Sequence, residues 1–120
     1  MPKYADGFVI VVPRKKLPAY RRMAAAAGKV WREYGALDYK ECVGDDLTVQ
    51  FGQSFTKLAR IKPGETVVFS WILYKSRAHR DRVNKKVMQD PRVTAMCDPK
   101  NPPFDMKRMT YGGFEVIVSA

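Results

Sequence analysis

The sequence has few of the side chains that bind metals or form disulfides. It contains two cysteines, Cys42 and Cys97, and a single histidine, His79. Two cysteines are too few for a disulfide framework, and neither lies in a Cys-x-x-Cys motif or next to the histidine. A zinc site normally needs four ligands of these types, so we expect no metal.

Long apolar runs are also missing. No run approaches the roughly 20 residues that a membrane span requires. The first residues reach an acid at Asp6 and show no small-residue cleavage pattern of a signal peptide. We therefore expect a cytoplasmic protein with reduced cysteines and no membrane partner. A length of 120 residues predicts one domain that spans residues 1–120.

Acidic residues are few compared with basic ones, 12 against 22, which gives a net charge of +10. Seven basic residues fall within 14–32 and another seven within 75–92, on or beside the two helices predicted from the sequence. Nucleic-acid binders usually interleave aromatic residues with basic ones on an exposed face, whereas the aromatic residues here follow the apolar stripe of the first helix. We interpret the charge as solvated surface and nucleic acid as an unlikely partner. Weak polyanion binding stays an alternative.

Apolar periodicity and capping residues predict the secondary structure. β-branched and aromatic runs indicate strands, and apolar residues at three- and four-residue steps indicate helices. Pro18 can begin the first helix, Gly35 can end it, and Ser76 can cap the second. The predicted elements are strands at 7–12, 37–43, 67–74 and 111–119, helices at 18–34 and 77–89, a short helix up to 96, a weak strand or hairpin within 47–61, and a loop at 98–105.

This order of elements predicts an α+β fold of the ferredoxin-like βαββαβ type with an antiparallel sheet. The strands VIVV, VVFSWIL and FEVIV are apolar at nearly consecutive positions, which indicates that both faces of the sheet are buried. The two helices cover one face, and we expect no other segment to cover the second. We therefore predict a two-fold homodimer whose subunits pack sheet to sheet.

Four segments together resemble the YbaA-like family of small bacterial proteins of unknown function. They are YADGFVIVVP at 4–13, GALDYKECVGDD at 35–46, VVFSWILYKSRAHRD at 67–81 and FDMKRMTYGGFE at 104–115. The resemblance implies the dimeric α+β barrel superfamily, in which two ferredoxin-like subunits pair their sheets into a barrel. That superfamily includes cofactor-free monooxygenases and haem proteins. We expect no haem and no other cofactor, because an axial ligand is needed and His79 falls in the first turn of its helix.

Two polar residues, Arg80 and Asn84, fall on the inward stripe of the second helix. They are i and i+4, so they lie on one helical face, and buried polar groups need partners. One interpretation is structural: Arg80 pairs with a strand carboxylate, Glu41 or Glu115, and holds the helix on the sheet. The other is functional: both residues point into a cavity and bind an anionic or carbonyl group.

Further ligand-binding candidates are Trp71, Tyr111 and Glu41. Trp71 and Tyr74 lie on opposite faces of one strand, so only one of them can line a given cavity, and the sequence leaves open which. Cys42 is predicted to be core. No catalytic set emerges, so the sequence does not decide whether the protein is an enzyme. The predicted function is binding of a small aromatic or carbonyl-containing molecule between sheet and helices, and the alternative is a non-catalytic stress or interaction protein.

Overall fold

The computed structural model describes residues 2–96 and 100–120, and the predicted α+β fold is confirmed. A four-stranded antiparallel sheet has the order β2-β3-β1-β4, and α1 and α3 pack on one face of it. Two short 3-10 turns lie at 14–16 and 106–108. The elements are β1 (Tyr4–Pro13), α1 (Leu17–Glu33), β2 (Asp38–Val43), α2 (Phe55–Leu58), β3 (Glu65–Tyr74), α3 (Arg77–Gln89), α4 (Pro91–Met96) and β4 (Thr110–Glu115).

The two long helices begin and end at the residues that the sequence indicates. Pro18 lies in the first turn of α1, where its missing N–H costs no hydrogen bond. Gly35 follows this helix with a φ of +114°, a conformation that L-residues with a side chain rarely adopt. Ser76 caps α3, because its Oγ accepts a hydrogen bond from the backbone N–H of His79 at 3.1 Å. These local signals set the boundaries of both helices.

Three elements differ from the prediction by more than two residues or in type. β1 begins at Tyr4 instead of residue 7, because its first residues pair with β3 on one side and β4 on the other. β4 ends at Glu115 instead of residue 119, because its partner strand β1 begins at Tyr4, opposite Glu115. One further hydrogen bond follows, from the N–H of Val116 to the carbonyl of Lys3. The predicted weak strand or hairpin within 47–61 was wrong. That segment holds the short helix α2, which the Oγ of Ser54 caps by accepting from the N–H of Lys57.

The core lies between the sheet and the helices. Even-numbered residues of β1 and β3 face the helices, as do odd-numbered residues of β2. This register settles the orientation that the sequence left open: Tyr74 points to the helices and Trp71 to the opposite face. The buried apolar side chains of this layer are Ile10, Val12, Tyr20, Ala24, Val30, Ala36, Val68, Ile72, Tyr74, Val83 and Val87.

The opposite face of the sheet is covered only in part. Segment 44–61 lies over one end of it, where Leu47 and Phe55 line a recess together with buried Val67. The expectation that no segment covers this face was therefore wrong at that end. The remainder, which we call the open face, leaves large side chains in solvent. It comprises Val9, Cys42, Phe69, Trp71 and Phe114.

Cys42 is exposed on the open face, so its prediction as a core residue was wrong. β2 is an edge strand, and only its helix side is covered. Cys97 and the first part of the predicted loop at 98–105 lie outside the described residues.

The surfaces of α1 and α3 are strongly basic. Among the described residues, no helix combines the length and the apolar character needed to cross a membrane. Except for Arg80, the basic side chains on these two helices are exposed, in agreement with their interpretation as solvated charge. The exposed ones are Arg21, Arg22, Lys29, Arg32, Arg77, Arg82, Lys85 and Lys86.

Candidate functional site

A buried carboxylate, Asp6, organises the polar side chains of α3. Arg80 Nη1 lies 2.8 Å from Asp6 Oδ1, and the two side chains are 20% and 8% exposed. The amide of Asn84 donates to Asp6 Oδ2 at 3.2 Å. The inward orientation predicted for Arg80 and Asn84 is therefore confirmed. The predicted partner, Glu41 or Glu115, was wrong, because β1 extends far enough to place Asp6 beneath α3.

The second polar atom of Asn84 joins this network to the rest of the core. Its Oδ1 accepts hydrogen bonds from Trp31 Nε1 and from the hydroxyl of Tyr74, both at 3.0 Å. Burial, reinforced by the negative charge of Asp6, raises the pKa of Tyr74, so its phenol stays protonated and acts as a donor. The Asp6 network, formed by Asp6, Arg80, Asn84, Tyr74 and Trp31, thus ties α3 to the sheet and to α1.

Arg80 has two further contacts at the surface end of its side chain. Its Nε donates to Asp81 at 2.8 Å, and its guanidinium carbon lies 4.9 Å from the centre of the Tyr4 ring. Its Nε and Nη1 atoms thus both donate to carboxylates within the chain. This arrangement matches the structural interpretation of Arg80, in which it pairs with a strand carboxylate and holds α3 on the sheet.

A wide cleft lies between α1 and the edge strand β2, with a cavity volume of about 970 Å³. We call it the α1–β2 cleft. Its apolar wall includes Leu17, Ala24, Ala25 and Val68. This size falls within the range of small-molecule sites, which are mostly apolar with a few placed polar groups.

Glu41 is the central polar group of the α1–β2 cleft. Its Oε1 accepts a hydrogen bond from the hydroxyl of Tyr20, and its Oε2 accepts one from the hydroxyl of Tyr39, each at 2.7 Å. Burial, followed by the charge of Glu41, raises the pKa of both tyrosines far above the ordinary value. Both phenols therefore stay protonated at neutral pH and keep the carboxylate in one orientation.

This arrangement leaves Glu41 able to bind more. A carboxylate offers about four lone-pair positions, and the two tyrosines take two of them. Both donors are neutral, so the remaining positions favour a ligand that presents an O–H or N–H group. The basic residues Arg21, Lys29 and Arg32 line the rim, where they favour negative charge on the outer end of a ligand.

Gly28 allows α1 to pack closely against β2 at the bottom of the cleft. A Cβ atom at this position would lie 2.8 Å from Cδ1 of the Tyr39 ring, closer than real Cβ contacts allow. The helix backbone therefore packs directly on the aromatic ring. This close approach sets the distance between α1 and β2 at the point where Tyr39 reaches Glu41.

The five predicted ligand-binding candidates thus fall in four places. Arg80 and Asn84 meet in the Asp6 network, and Glu41 lies in the cleft. Trp71 lies on the open face, and Tyr111 stacks on Phe8 with ring centres 5.9 Å apart, mostly exposed. Within the described part of the chain, no three acidic, histidine or cysteine side chains come together as a metal site.

Sequence reasoning missed Tyr20 and Tyr39 as functional candidates. Tyr39 and Glu41 are two positions apart on an alternating strand, which already places both on one face. Tyr20 falls on the apolar stripe of α1, where an aromatic residue is usually core. Its hydroxyl reaches Glu41 only because α1 packs beside β2, which a pattern within one element does not reveal.

The model of a protein family described as "Protein of unknown function (DUF1428)" matches residues 3–106 of the chain. The chain belongs to this family. Among curated DUF1428-like relatives, "Uncharacterized protein YbaA" from Escherichia coli K12 is 46% identical over 116 residues, which are 97% of this chain and 97% of the relative. The Shigella flexneri protein of the same description has the same identity and coverage. The predicted YbaA-like resemblance is confirmed.

Solved structures of low sequence identity share the fold of this DUF1428 member. One is a dimeric ferredoxin-like protein from an uncultured marine organism, with a TM-score of 0.58, 12% identity and full coverage of both chains. Another is a NIPSNAP family protein with unknown function from Agrobacterium tumefaciens, with a TM-score of 0.56 and 15% identity over 96% of this chain and 88% of that one. The predicted ferredoxin-like architecture is confirmed.

Proposed function

We propose that this protein binds a small aromatic or carbonyl-containing molecule in the α1–β2 cleft. The observation that supports this most directly is Glu41, held by two phenol hydroxyls in a recess of about 970 Å³ that has an apolar wall and a basic rim. A carboxylate on an edge strand needs no such support for folding alone, since it could turn to solvent. Two placed donors that fix its orientation are typical of a preorganised binding site.

The cleft favours a particular arrangement of groups on the ligand. An apolar or aromatic body would lie along Leu17, Ala24 and Val68. An O–H or N–H group on that body would donate to a free lone pair of Glu41. A negative or carbonyl group at the other end would reach the basic rim, where Arg21 and Lys29 are exposed.

The aromatic amine 6-(p-toluidino)naphthalene-2-sulfonate is a suitable probe, because it carries one N–H donor and one sulfonate at opposite ends of an aromatic body. Its fluorescence rises in apolar surroundings, so a titration gives its dissociation constant. Ala25→Phe fills the cleft from α1, and we expect it to weaken binding roughly tenfold by excluding the ring system. Glu41→Gln, which keeps the size of the side chain, should also weaken binding of the N–H group.

Ala26→Phe is the matched control. Ala26 is the next residue of the same helix, is exposed, and does not line the cleft. It adds the same apolar surface and should leave the dissociation constant unchanged. Equal affinities for wild type, Ala25→Phe and Ala26→Phe would overturn the proposal and favour a protein that acts through its surface alone.

We further propose that the protein acts as a homodimer that packs through the open face, and that it resides in the cytoplasm. Phe69 and Phe114 are large apolar residues exposed on this face, and contiguous apolar patches usually mark interaction sites. The marine protein of the same fold is described as dimeric. With two cysteines and no disulfide framework, a reducing compartment suits the chain.

Light scattering at micromolar concentration tests the dimer. Phe69→Asp places a charge in the proposed interface and should yield a folded monomer. Met88→Asp is the control, because Met88 is similarly exposed on the outer surface of α3 and should leave the dimer intact. A monomeric wild type, or a Phe69→Asp protein that stays dimeric, would contradict the proposed interface.

A further inference from the structure

Glu41 differs from the other shielded carboxylates of this chain in its partners. Within residues 2–96 and 100–120, every other carboxylate that is buried or half-buried forms an ion pair with a lysine or an arginine. These paired residues are Asp6, Asp38, Glu65, Asp90 and Asp105. The side chain of Glu41 instead accepts hydrogen bonds from two neutral groups, the hydroxyls of Tyr20 and Tyr39.

The lack of a paired cation affects what Glu41 can do chemically. A lysine or arginine beside a carboxylate favours its charged form and so opposes the uptake of a proton. Burial raises the pKa of Tyr20 and of Tyr39 far above the ordinary value, so both phenols keep their own protons. A proton that reaches Glu41 therefore comes from solvent or from a bound molecule, and removal of a proton from a bound molecule is the role of a general base.

The rim of the same cleft supplies positive charge. Arg21 and Lys29 line the cleft, and neither forms an ion pair with an acid of the described chain. Arg32 lines it as well, but its Nη1 donates to the backbone carbonyl of Leu37. Cations placed beside an apolar cleft can stabilise negative charge that develops on a bound molecule during a reaction.

A 3-aryl-2-oxo acid matches the three parts of the cleft. Its ring fits the apolar wall that includes Leu17, Ala24 and Val68. Its keto form carries an acidic C–H bond between the ring and the carbonyl, and its enol form carries an O–H group, so both tautomers offer a proton to Glu41. Its carbonyl and its carboxylate stand on adjacent carbons, so the same rim cations can hold the carboxylate and an enolate oxygen.

We infer that the protein catalyses the keto–enol tautomerisation of a small 3-aryl-2-oxo acid, with Glu41 as the general base. This inference rests on the proposed function, because the reaction takes place in the α1–β2 cleft. It goes beyond that function by assigning an activity, a substrate class and a catalytic residue.

The reaction needs no second reactant. Glu41 removes a proton from the carbon next to the carbonyl, the electron pair of that C–H bond forms a carbon–carbon double bond, and the π pair of the carbonyl moves to its oxygen. The enolate oxygen then takes the proton from Glu41, which gives the enol and restores the carboxylate. While the enolate exists, the charge that Glu41 has lost lies on the substrate, toward Arg21 and Lys29.

Exchange of the benzylic protons of phenylpyruvate in D₂O, followed by proton NMR, tests the inference. Each passage through the enolate allows a C–H proton to be replaced by deuterium, and the rate without protein is subtracted. We expect wild type to accelerate the exchange. Glu41→Gln keeps the size of the side chain but removes the base, so kcat at saturating phenylpyruvate should fall about 100-fold, the lower end of what a positioned general base contributes.

Asp38→Asn is the matched control. Asp38 is a carboxylate of the same strand, pairs with Lys40, and does not line the cleft, so its replacement should leave the exchange rate unchanged. Circular dichroism checks the folding of each variant. If Glu41→Gln does not fold, Glu41→Asp takes its place; it keeps the charge but withdraws the carboxylate by one methylene group, and kcat should fall roughly tenfold.

The possible failures are distinguishable. Exchange that is no faster with wild type than without protein, or equal values of kcat for wild type and the folded Glu41 variant, would overturn the inference. If 6-(p-toluidino)naphthalene-2-sulfonate still binds and Ala25→Phe weakens its binding, the cleft proposal stands without the activity. If Ala25→Phe and Ala26→Phe both bind the probe as wild type does, the cleft proposal fails and the inference fails with it.

Discussion

Asp6 is the residue whose replacement tests the core of this fold most directly. The change Asp6→Asn keeps the shape of the side chain but removes its charge. Arg80 then loses its buried counterion. In wild type both oxygens of Asp6 accept hydrogen bonds, one from Arg80 and one from the Asn84 amide, and in the variant an NH₂ group replaces one of these oxygens. We expect a folded but clearly less stable protein.

The magnitude follows from the burial of the pair. Loss of one partner from a fully buried ion pair costs about 3–5 kcal/mol. The Arg80 side chain is 20% exposed and keeps Asp81, so water and the second carboxylate offset part of that cost. We expect a loss of about 2–3 kcal/mol in the free energy of unfolding, or roughly 10 °C in the melting temperature of a chain of this length.

Asp81→Asn is a matched control on the same arginine. Asp81 also lies 2.8 Å from Arg80, but its side chain is 60% exposed. Exposed ion pairs contribute about 0–1 kcal/mol, so this variant should remain close to wild type. Urea denaturation followed by circular dichroism measures both free energies in one experiment.

A double-mutant cycle with Arg80→Met separates the pair from its surroundings. Each single change leaves one charged group without its counterion, whereas the double variant Asp6→Asn/Arg80→Met removes both charges. We expect a coupling free energy of about 2 kcal/mol. If Asp6→Asn lowers the free energy of unfolding no more than Asp81→Asn does, or if the coupling free energy is near zero, then burial does not strengthen the Asp6–Arg80 ion pair.

Three further predictions concern the cleft and the pH limits of stability. Gly28→Ala should lower the free energy of unfolding by about 1 kcal/mol, because the added methyl group meets the Tyr39 ring, although glycine to alanine usually stabilises a helix. A hydrogen bond from Arg92, and a second from Tyr34, hold the pKa of Asp90 well below its usual range. The Asp90 carboxylate therefore stabilises the fold above about pH 4, and this stabilisation is lost as the pH falls further. Asp90→Asn should be less stable than wild type at neutral pH and should approach the stability of wild type in acid. The pKa values of Tyr20 and Tyr39 are raised, so their protonated phenols stabilise the fold below about pH 10 and this stabilisation falls as the pH rises further. Phenolate absorbance from these residues should therefore appear only as the protein unfolds.

Each of these predictions has an outcome that contradicts it. A more stable Gly28→Ala protein in urea would mean that the Tyr39 ring moves away freely. A constant gap between wild type and Asp90→Asn down to strong acid would show that Asp90 does not titrate with a depressed pKa. For the tyrosines, the control is the double variant Tyr20→Phe/Tyr39→Phe. If wild type shows phenolate absorbance that this variant lacks, at a pH where the circular dichroism of wild type is still native, then Tyr20 and Tyr39 are not buried donors to Glu41.

The extent to which the sequence predicts the fold depends on the range of the interactions. Helix α1 follows from apolar spacing with Pro18 and Gly35 at its ends, and α3 begins at the capping residue Ser76. The prediction failed at α2, where Val49 and Phe51 suggest a strand but Ser54 caps a helix a few residues later. It also extended β4 to residue 119, because residue composition alone does not reveal that the neighbouring strand begins only at Tyr4.

The candidate site, too, was predicted where local spacing decides the arrangement and missed where contacts between elements decide it. Helical spacing of i and i+4 sufficed to turn Arg80 and Asn84 inward. The identity of their partner required the register of β1 against β3, which places Asp6 opposite Ile72 beneath α3. Glu41 was a candidate by residue type, yet its two phenol donors come from different elements.

By itself the sequence determined the elements, the antiparallel α+β architecture, the family and the inward face of α3, because these depend on periodicity, capping and residue identity along short stretches of chain. Only the tertiary structure decided that Asp6 holds Arg80, that Tyr20 of α1 meets Glu41 of β2, and that β4 ends at Glu115. Those contacts depend on strand register and on the seating of a helix against an edge strand. Both are set by packing between residues far apart in the chain, where local propensity carries no information.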